Sequence, residues 1–232
     1  MDSTRFPGKV LAPIGGRPLV ELVFERLNAA SSVDEVLVAT DSPEVAAAVR
    51  GFGGSVAMVT ERCATGSDRV AAAVLGHPAE VVVNLQADQP MIDPSDIDRT
   101  VEALNADEGL DITTLAFEAD DREGYESPDV VKVVGGGGQA LYFSRSPIPH
   151  GGDPATVTPL YLHHVGIYCF RRRSLERFAS APRGPLESRE SLEQLRALEN
   201  GMNIGLVMTD RASRSVDRPD DVVEIEKRMN RI

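Results

Sequence analysis

Cysteine is scarce in this chain, which has only two among its 232 residues. Cys63 and Cys169 lie far apart in the sequence, and neither belongs to a C-x-x-C pair or to a Cys/His cluster. Structural zinc sites and disulfide frameworks both depend on closely patterned cysteines. The sequence therefore indicates neither kind of site, and we expect two buried free thiols.

Basic residues are also in the minority, since 24 lysines and arginines face 36 aspartates and glutamates, for a formal net charge of −12. A protein that binds DNA or RNA through the phosphate backbone needs a basic face. This balance argues against a nucleic-acid partner, although it leaves room for a local positive pocket.

Long hydrophobic runs are missing as well. No segment approaches the roughly 20 consecutive apolar residues that span a bilayer. The first ten residues carry Asp2, Arg5 and Lys9, which are unlike a secretory signal. We predict a cytoplasmic protein that does not insert into a membrane.

The apolar residues that are present alternate between helix-type and strand-type spacing, as in βαβ units. Helices are predicted over residues 19–27, 66–75 and 187–199, and further helices begin at Pro43, Pro94 and about Pro219. Strands are predicted over residues 36–40, 55–59, 81–85, 112–117, 164–170 and 204–208, and a hairpin joins residues 130–134 to 140–143 through four glycines. The pattern indicates an α/β fold with a mainly parallel sheet, in a single domain over residues 1–232.

The beginning of the chain is suited to holding phosphate. The turn S-T-R-F-P-G-K, residues 3–9, is followed by the helix pattern at 19–27. Small residues and glycine let backbone N–H groups approach an anion, and Lys9 adds a point charge. Taken alone, the turn could equally be an ordinary exposed loop, and Arg5 could lie on the solvated surface.

Two aspartates follow predicted strands. Asp88 lies in the turn after strand 81–85, and Asp217 lies in the turn before the last helix. Mg²⁺ prefers one or two carboxylates together with phosphate oxygens and water. If both turns meet at one sheet edge, the pair could hold this ion; taken singly, each aspartate is more typical of a turn or a helix start.

Several strings, taken in order, resemble one enzyme family. They are the turn at residues 3–9, G-S-D-R at 66–69, Q-A-D-Q-P at 86–90, A-L-Y-F-S-R at 140–145 and V-D-R-P-D-D at 216–221. Together they resemble the CMP-Kdo synthetases, cytidylyltransferases that activate 3-deoxy-manno-octulosonate (Kdo) for lipopolysaccharide biosynthesis.

The resemblance implies transfer of CMP from CTP to Kdo with release of pyrophosphate. It also implies a Rossmann-like three-layer nucleotidyltransferase fold with a small β-hairpin lobe, and a homodimer. Residues 1–128 would form the nucleotide-binding half, residues 129–170 the hairpin with the sugar-binding and dimerisation region, and residues 171–232 the C-terminal helices with the metal turn. Lys9, Asp88 and Asp217 would be catalytic, with Asp88 and Asp217 as ligands of Mg²⁺.

The same resemblance assigns the binding residues. The implied nucleotide contacts are Ser3, Arg5, Lys9, Ser67, Asp68 and Arg69, although helix capping and surface pairing would also explain the last three. The implied sugar contacts are Gln86, Arg145, His164, Tyr168, Glu190 and Gln194.

Residue chemistry supports some of these sugar contacts and leaves alternatives for each. A guanidinium grips a carboxylate through two parallel hydrogen bonds, so Arg145 suits an acidic sugar, but it could instead form a structural ion pair. His164 and Tyr168 share one side of a predicted strand, where packing is the common role. Glu190 and Gln194 share one face of a predicted helix, where solvent exposure is common.

The family carries a hydrophobic strand and the string P-A-R before the phosphate turn, whereas this chain starts at Met1 just after that arginine. We expect Met1 to be an internal methionine and the natural product to be longer. The alternatives for the function are activation of 8-amino-Kdo or of another sugar acid, and a non-catalytic binder of nucleotide or sugar acid that lacks the arginine.

Overall fold

The computed structural model describes residues 6–152, 158–211, 213, 215, 216 and 218–229. The chain divides into two compact units. The first contains residues 1–77, 85–98 and 213–232, and the second contains residues 78–84 and 99–212. The single domain with three consecutive regions that the sequence suggests stays a prediction.

Helices and strands alternate along most of the chain. The helices are α1 (Leu19–Asn28), α2 (Pro43–Gly51), α3 (Gly66–Ala73), α4 (Pro94–Ala106), α5 (Arg122–Glu126), α6 (Arg172–Ser180), α7 (Pro185–Glu190), α8 (Gln194–Glu199) and α9 (Pro219–Met229), with a short 3-10 helix at Lys9–Leu11. The strands are β1 (Pro13–Ile14), β2 (Arg17–Pro18), β3 (Leu37–Thr40), β4 (Ser55–Met58), β5 (Val81–Leu85), β6 (Ile112–Ala119), β7 (Lys132–Gly136), β8 (Gln139–Ser144), β9 (Tyr161–Arg171) and β10 (Ile204–Met208). Within the described part of the chain, no helix combines the length and the apolar character that crossing a membrane requires.

Side-chain caps fix two helix starts in the first unit. The Ser42 hydroxyl accepts a hydrogen bond from the Val45 amide at 3.3 Å, and Pro43 occupies the first turn of α2. Thr65 caps α3 in the same way through the Asp68 amide, at 3.2 Å. Such caps satisfy amides that a helix cannot pair internally. The predicted start of α2 is confirmed.

Helix α1 contributes to two hydrophobic clusters of the first unit. On one side Leu19, Leu22 and Val23 pack with Ile225 of α9. On the other side Val20 packs with buried residues of α2, and the partly buried residues of this cluster come from the 3-10 helix, β3, β4 and Phe52, which directly follows α2. β3 and β4 run parallel. Burial of both sides anchors α1 and the 3-10 helix that packs against it.

The sheet of the second unit is mixed rather than mainly parallel. Its six strands are ordered β5-β9-β6-β10-β8-β7, with an additional pairing of β9 with β7. β6 and β10 run parallel, whereas the β6–β9, β7–β8, β7–β9 and β8–β10 pairings are antiparallel. A two-residue turn, Gly137 and Gly138 at φ 61° and 79°, forces β7 and β8 to be antiparallel. The α/β class is therefore confirmed, and the mainly parallel sheet is not.

The helix predicted over residues 187–199 is broken into α7 and α8. Ser191 adopts the left-handed conformation, with φ 54°, and ends α7. Nine residues of continuous helix rise about 13.5 Å, yet Arg196 Nε and Nη2 donate to the Glu187 carboxylate at 2.8 Å each. The break lets α8 turn back, so this pair can form in the interior.

The two cysteines are free, and they differ in burial. Cys169 is fully buried in β9, where burial raises the pKa of its thiol to about 12. Cys63 is only partly buried, so the expectation of two buried thiols is wrong for this residue. The reason is its position in the loop between β4 and α3.

Candidate active site

Lys9 and Asp88 meet in the first unit. Gly8, at φ 73°, lets the chain enter the 3-10 helix that begins at Lys9. Lys9 Nζ lies 2.6 Å from Asp88 Oδ2 and donates to the Val216 carbonyl at 3.0 Å. The two charged side chains are 15% and 22% exposed, so solvent can still reach both. The structure thus brings together two of the three predicted catalytic residues, while Asp217, Ser3 and Arg5 lie outside the described residues.

Backbone bonds hold the turn that carries Asp88. The Gln89 amide donates to the Gln86 carbonyl at 3.2 Å, and the Val216 amide donates to the Asp88 carbonyl at 2.9 Å. The Ser213 hydroxyl donates to the Gln89 side chain at 3.0 Å. Ser213 and Val216, which precede α9, are therefore attached to the turn after β5.

The predicted nucleotide contacts at the start of α3 have structural roles of their own. Ser67 is fully buried. Arg69 pairs with Asp41 at 2.9 Å and donates to the Val59 carbonyl at 3.3 Å. Burial opposes ionisation of Asp41, but the charge of Arg69 and hydrogen bonds outweigh it and lower the pKa of that carboxyl. Asp41 is not among the predicted site residues, although it directly follows β3, much as Asp88 lies in the turn after β5.

Gln86 lies beside α3 in the same unit. A Cβ atom added to Gly66 would come within 3.0 Å of the Gln86 amide nitrogen, so a glycine here lets the side chain approach the helix. The structure thus places this predicted sugar contact against the turn that contains Ser67.

Glu190 is the acceptor of a polar cluster in the second unit. Its Oε1 accepts hydrogen bonds from the Ser144 hydroxyl at 2.7 Å and from the Tyr142 hydroxyl at 3.3 Å. Its Oε2 accepts from the Arg145 amide at 2.9 Å. Tyr142 and Ser144 are not among the predicted site residues, although alternation along β8 places both on one side. Three donors fix the position of this carboxylate.

Arg145 is held by backbone carbonyls rather than by an acidic side chain. Its Nε donates to the Glu190 carbonyl at 3.0 Å, and its Nη1 donates to the Pro128 carbonyl at 2.9 Å. Among the described residues, none pairs a carboxylate with this guanidinium, and Nη2 has no hydrogen bond there. The structural ion pair considered as an alternative for Arg145 is therefore not formed within the described part of the chain.

Lys132 is a functional candidate that the sequence analysis missed. It is 0% exposed, and its ammonium donates to the carbonyls of Ser127, Val130 and Arg145 at 2.8, 2.8 and 2.6 Å. Burial, reinforced by the charge of Arg145 and opposed by that of Glu190, lowers the pKa of Lys132 to about 8. The ammonium is therefore still mostly protonated at neutral pH. A single charged residue within the apolar run 130–134 was the available signal.

His164 and Tyr168 are neighbours, as their spacing predicts. Their ring centroids lie 5.6 Å apart, and both side chains are buried. The Thr114 hydroxyl donates to the Ile167 carbonyl at 2.6 Å, so the His164 Nε2–H donates to Thr114 Oγ1 at 2.9 Å. Burial, with a smaller effect of His163, lowers the pKa of His164 to about 3, which keeps the ring neutral. Their role as sugar contacts stays a prediction.

Gln194 has an unsatisfied amide. The side chain is 3% exposed, and its Nε2 is a buried polar atom without a hydrogen-bond partner within the described residues. Leaving a buried donor unpaired costs about 1–3 kcal/mol. Because α7 ends at Ser191, Gln194 and Glu190 belong to two different helices. The expectation that they share one helix face is wrong.

The comparisons with known proteins define first a class and then a family. The family model described as Cytidylyltransferase matches residues 1–204. The chain is therefore a CTP-dependent nucleotidyltransferase.

Relatives and a solved structure give the family more closely. The chain is 44% identical to a 3-deoxy-manno-octulosonate cytidylyltransferase of Syntrophotalea carbinolica, over 97% of this chain and 93% of the relative. It is 42% identical to an 8-amino-3,8-dideoxy-manno-octulosonate cytidylyltransferase of Shewanella baltica, over 98% and 94%. It also matches a structure of CMP:2-keto-3-deoxy-manno-octonic acid synthetase complexed with CTP, with a TM-score of 0.89, 37% identity and coverage of 99% and 94%. The chain belongs to the 3-deoxy-manno-octulosonate cytidylyltransferase family, which confirms the resemblance.

Proposed function

We propose that this chain transfers CMP from CTP to 3-deoxy-manno-octulosonate and releases pyrophosphate. The observation that carries the proposal is the 44% identity over 97% of the chain to a relative that bears the name of this activity. In this reaction the anomeric C2 hydroxyl of Kdo attacks the α-phosphorus of CTP, a new P–O bond forms, and the bond to the β-phosphate oxygen breaks. The hydroxyl proton passes to solvent, and pyrophosphate leaves.

The first unit would bind the nucleotide. Lys9 would bind triphosphate oxygens. Its side chain is partly exposed, and its ammonium already binds an anionic oxygen, Asp88 Oδ2, at 2.6 Å. Backbone amides of the turn would add further donors. The proposed contacts in this set remain Ser3, Arg5, Lys9, Ser67, Asp68 and Arg69.

Mg²⁺ is part of the proposal, with Asp88 and Asp217 as its ligands. The Asp88 carboxylate fits a cation, because it is partly exposed and holds the Lys9 ammonium. The described residues contain no group of three or more His, Cys, Asp or Glu side chains that could hold a metal. Mg²⁺ needs no such cluster, since it commonly binds one or two carboxylates plus phosphate oxygens and water. When bound, the ion would neutralise charge on the phosphates.

The second unit would bind the sugar acid. The Nη2 of Arg145 has no hydrogen bond within the described residues and would donate to a carboxylate. The unpaired amide of Gln194 would donate to a sugar hydroxyl, and the Glu190 carboxylate would accept from one. His164 and Tyr168 complete the proposed contacts of the second unit, and Gln86, which belongs to the first unit, stays a proposed sugar contact on the ground of the family resemblance alone. Positioning and charge neutralisation would supply most of the rate enhancement, since phosphoryl-type transfers need little covalent participation by the protein.

A homodimer formed around the hairpin region is also proposed. Leu141 of β8 and Leu160 before β9 are 65% and 62% exposed. Exposed apolar residues of this size favour association when they form one patch. Light scattering that gave the mass of a single chain would contradict the dimer. The cytoplasmic location, the regions at 1–128, 129–170 and 171–232, and the Rossmann-like three-layer arrangement with a β-hairpin lobe remain in the proposal.

Activation of 8-amino-Kdo is the second candidate, favoured by the 42% identity to the Shewanella baltica relative. Pyrophosphate release would be measured with CTP and Mg²⁺, with either Kdo or 8-amino-Kdo as acceptor. A larger kcat/KM for Kdo supports the first candidate, and the reverse order supports the second. Binding of CTP and Kdo without turnover would support a non-catalytic binder and refute both.

Two arginine variants, one at Arg145 and a control at Arg122, test the proposed sugar site. Replacing Arg145 by glutamine should raise the KM for Kdo at least tenfold, because an interaction of a charged group with its ligand contributes about 1.5–3 kcal/mol. Arg122 is a matched control, since it lies in the same unit and its exposed ion pair with Glu126 spans one turn of α5. Arg122→Gln should change this KM less than twofold. Equal effects of the two variants would refute the assignment.

A further inference from the structure

Lys132 links the backbone of Arg145 to the loop between α5 and β7, which also contacts the Arg145 side chain. Its ammonium donates to the Arg145 carbonyl, and it also donates to Ser127 and Val130 in the loop between α5 and β7. Pro128, in the same loop, accepts a hydrogen bond from Arg145 Nη1. The lysine therefore fixes the backbone of Arg145 and, through the loop, one nitrogen of its side chain.

Glu190 and Lys132 together leave Arg145 little freedom. Glu190 accepts from the Arg145 amide and from Nε, and Lys132 donates to the Arg145 carbonyl. With Nη1 on Pro128, the atom of the side chain that remains without a partner in the described residues is Nη2. A guanidinium held in one orientation loses less entropy when a carboxylate binds.

The position of Lys132 is costly for a structural residue. It is the first residue of β7, within the apolar sequence run 130–134, directly opposite Ser144 in the β7–β8 register, and is 0% exposed. A buried ammonium loses its hydration, and carbonyl dipoles replace that hydration only in part. A neutral apolar side chain would complete the same strand without this cost. Its three bonds all fix segments that position Arg145.

We propose that Lys132 is a positioning residue that fixes Arg145 for binding of the sugar-acid carboxylate. The inference rests on the proposed function, because it requires Arg145 to bind that carboxylate. It adds a residue that touches neither the sugar nor the nucleotide.

Lys132→Met removes all three donors while nearly preserving side-chain volume. Arg171→Met is the matched control, because Arg171 also donates to three backbone carbonyls of the second unit, those of Leu104, Asp107 and Leu110. None of these bonds involves Arg145. For each variant we would measure the unfolding midpoint, the KM for Kdo, the KM for CTP and kcat, and Kdo binding by calorimetry.

Both variants should lower the unfolding midpoint, since each leaves three carbonyls without their donors. Only Lys132→Met should raise the KM for Kdo, by about 10- to 100-fold, the range expected when a binding group moves by about an ångström. Its KM for CTP should stay within about twofold of the wild-type value. A KM for Kdo that is unchanged, or that rises equally in the Arg171 control, would overturn the proposal.

Two further arms keep the outcomes separate. If Lys132→Met does not fold, Lys132→Gln replaces it, because glutamine retains two N–H donors. This variant should raise the KM for Kdo by a smaller factor and leave the KM for CTP unchanged. Wild-type protein that releases no pyrophosphate with CTP and either sugar would refute the proposed function itself. If the wild type is active and Lys132→Gln leaves the KM for Kdo unchanged, only the role of Lys132 is refuted.

Discussion

Replacing Arg196 by methionine should destabilise the second unit strongly. Arg196 and Glu187 are 2% and 1% exposed, and two hydrogen bonds of 2.8 Å join them. The guanidinium also lies 4.4 Å from the centroid of the Phe178 ring. Methionine would keep much of the packing while removing the charge, so the variant leaves Glu187 as a buried anion.

The expected cost follows from the remaining partner of Glu187. Breaking a buried ion pair by removing one residue typically costs about 3–5 kcal/mol. Arg183 Nε lies 3.1 Å from Glu187, but this side chain is 49% exposed and compensates only in part. We therefore expect a loss near the lower end, about 3 kcal/mol. The double variant Glu187→Leu with Arg196→Met should lose less than Arg196→Met alone, because it leaves no buried charge.

Urea unfolding at pH 7, followed by circular dichroism, measures these losses for the wild type, both single variants and the double variant. The four free energies of unfolding form a double-mutant cycle, which isolates the energy of the pair. A loss below about 1 kcal/mol for Arg196→Met, or a double variant that loses the sum of the single losses, would refute the reasoning.

Three further predictions concern stability. His164 has a pKa of about 3 in the folded chain against about 6.5 in the unfolded chain, so the unfolded state binds more protons between these two pH values. The free energy of unfolding should therefore fall by about 2 kcal/mol from pH 6.5 to pH 5. In urea titrations of His164→Gln this decrease should be absent. Ser42→Ala should cost about 1 kcal/mol in urea unfolding through loss of the α2 cap, and an unchanged midpoint would argue against the cap. Gly124→Ala should destabilise the folded chain, because the added Cβ would clash with the Tyr161 hydroxyl. Gly51→Ala is the control, since its Cβ meets nothing within 4 Å, and this variant should be neutral or stabilising. Equal shifts of the thermal unfolding midpoint for both variants would contradict this prediction.

Local chemistry was readable from the sequence. A serine before proline marked the start of α2, and four glycines between two apolar runs marked the β7–β8 turn. Both signals act within a few residues, so no distant contact is needed to interpret them. The family could also be predicted, because the order of the five motifs along the chain is visible without any knowledge of which residues are in contact.

Features that depend on distant partners were missed. Apolar spacing indicates a strand but not the direction of its neighbour, so the antiparallel β9 was unforeseen. The helical pattern at 187–199 continues through Ser191, and the break there accompanies the pairing of Glu187 with Arg196, which residue spacing does not reveal. The acceptors of Lys132 are backbone carbonyls, which no residue type reveals in advance.

The unequal burial of the two thiols gives a way to label the protein without engineering. Cys169 lies inside β9, whereas Cys63 is accessible and precedes Thr65, the cap of α3, by two residues. A maleimide dye added to the native chain should therefore attach at Cys63 and spare Cys169. The dye would then report, through its fluorescence, on ligands that reach the G-S-D-R turn.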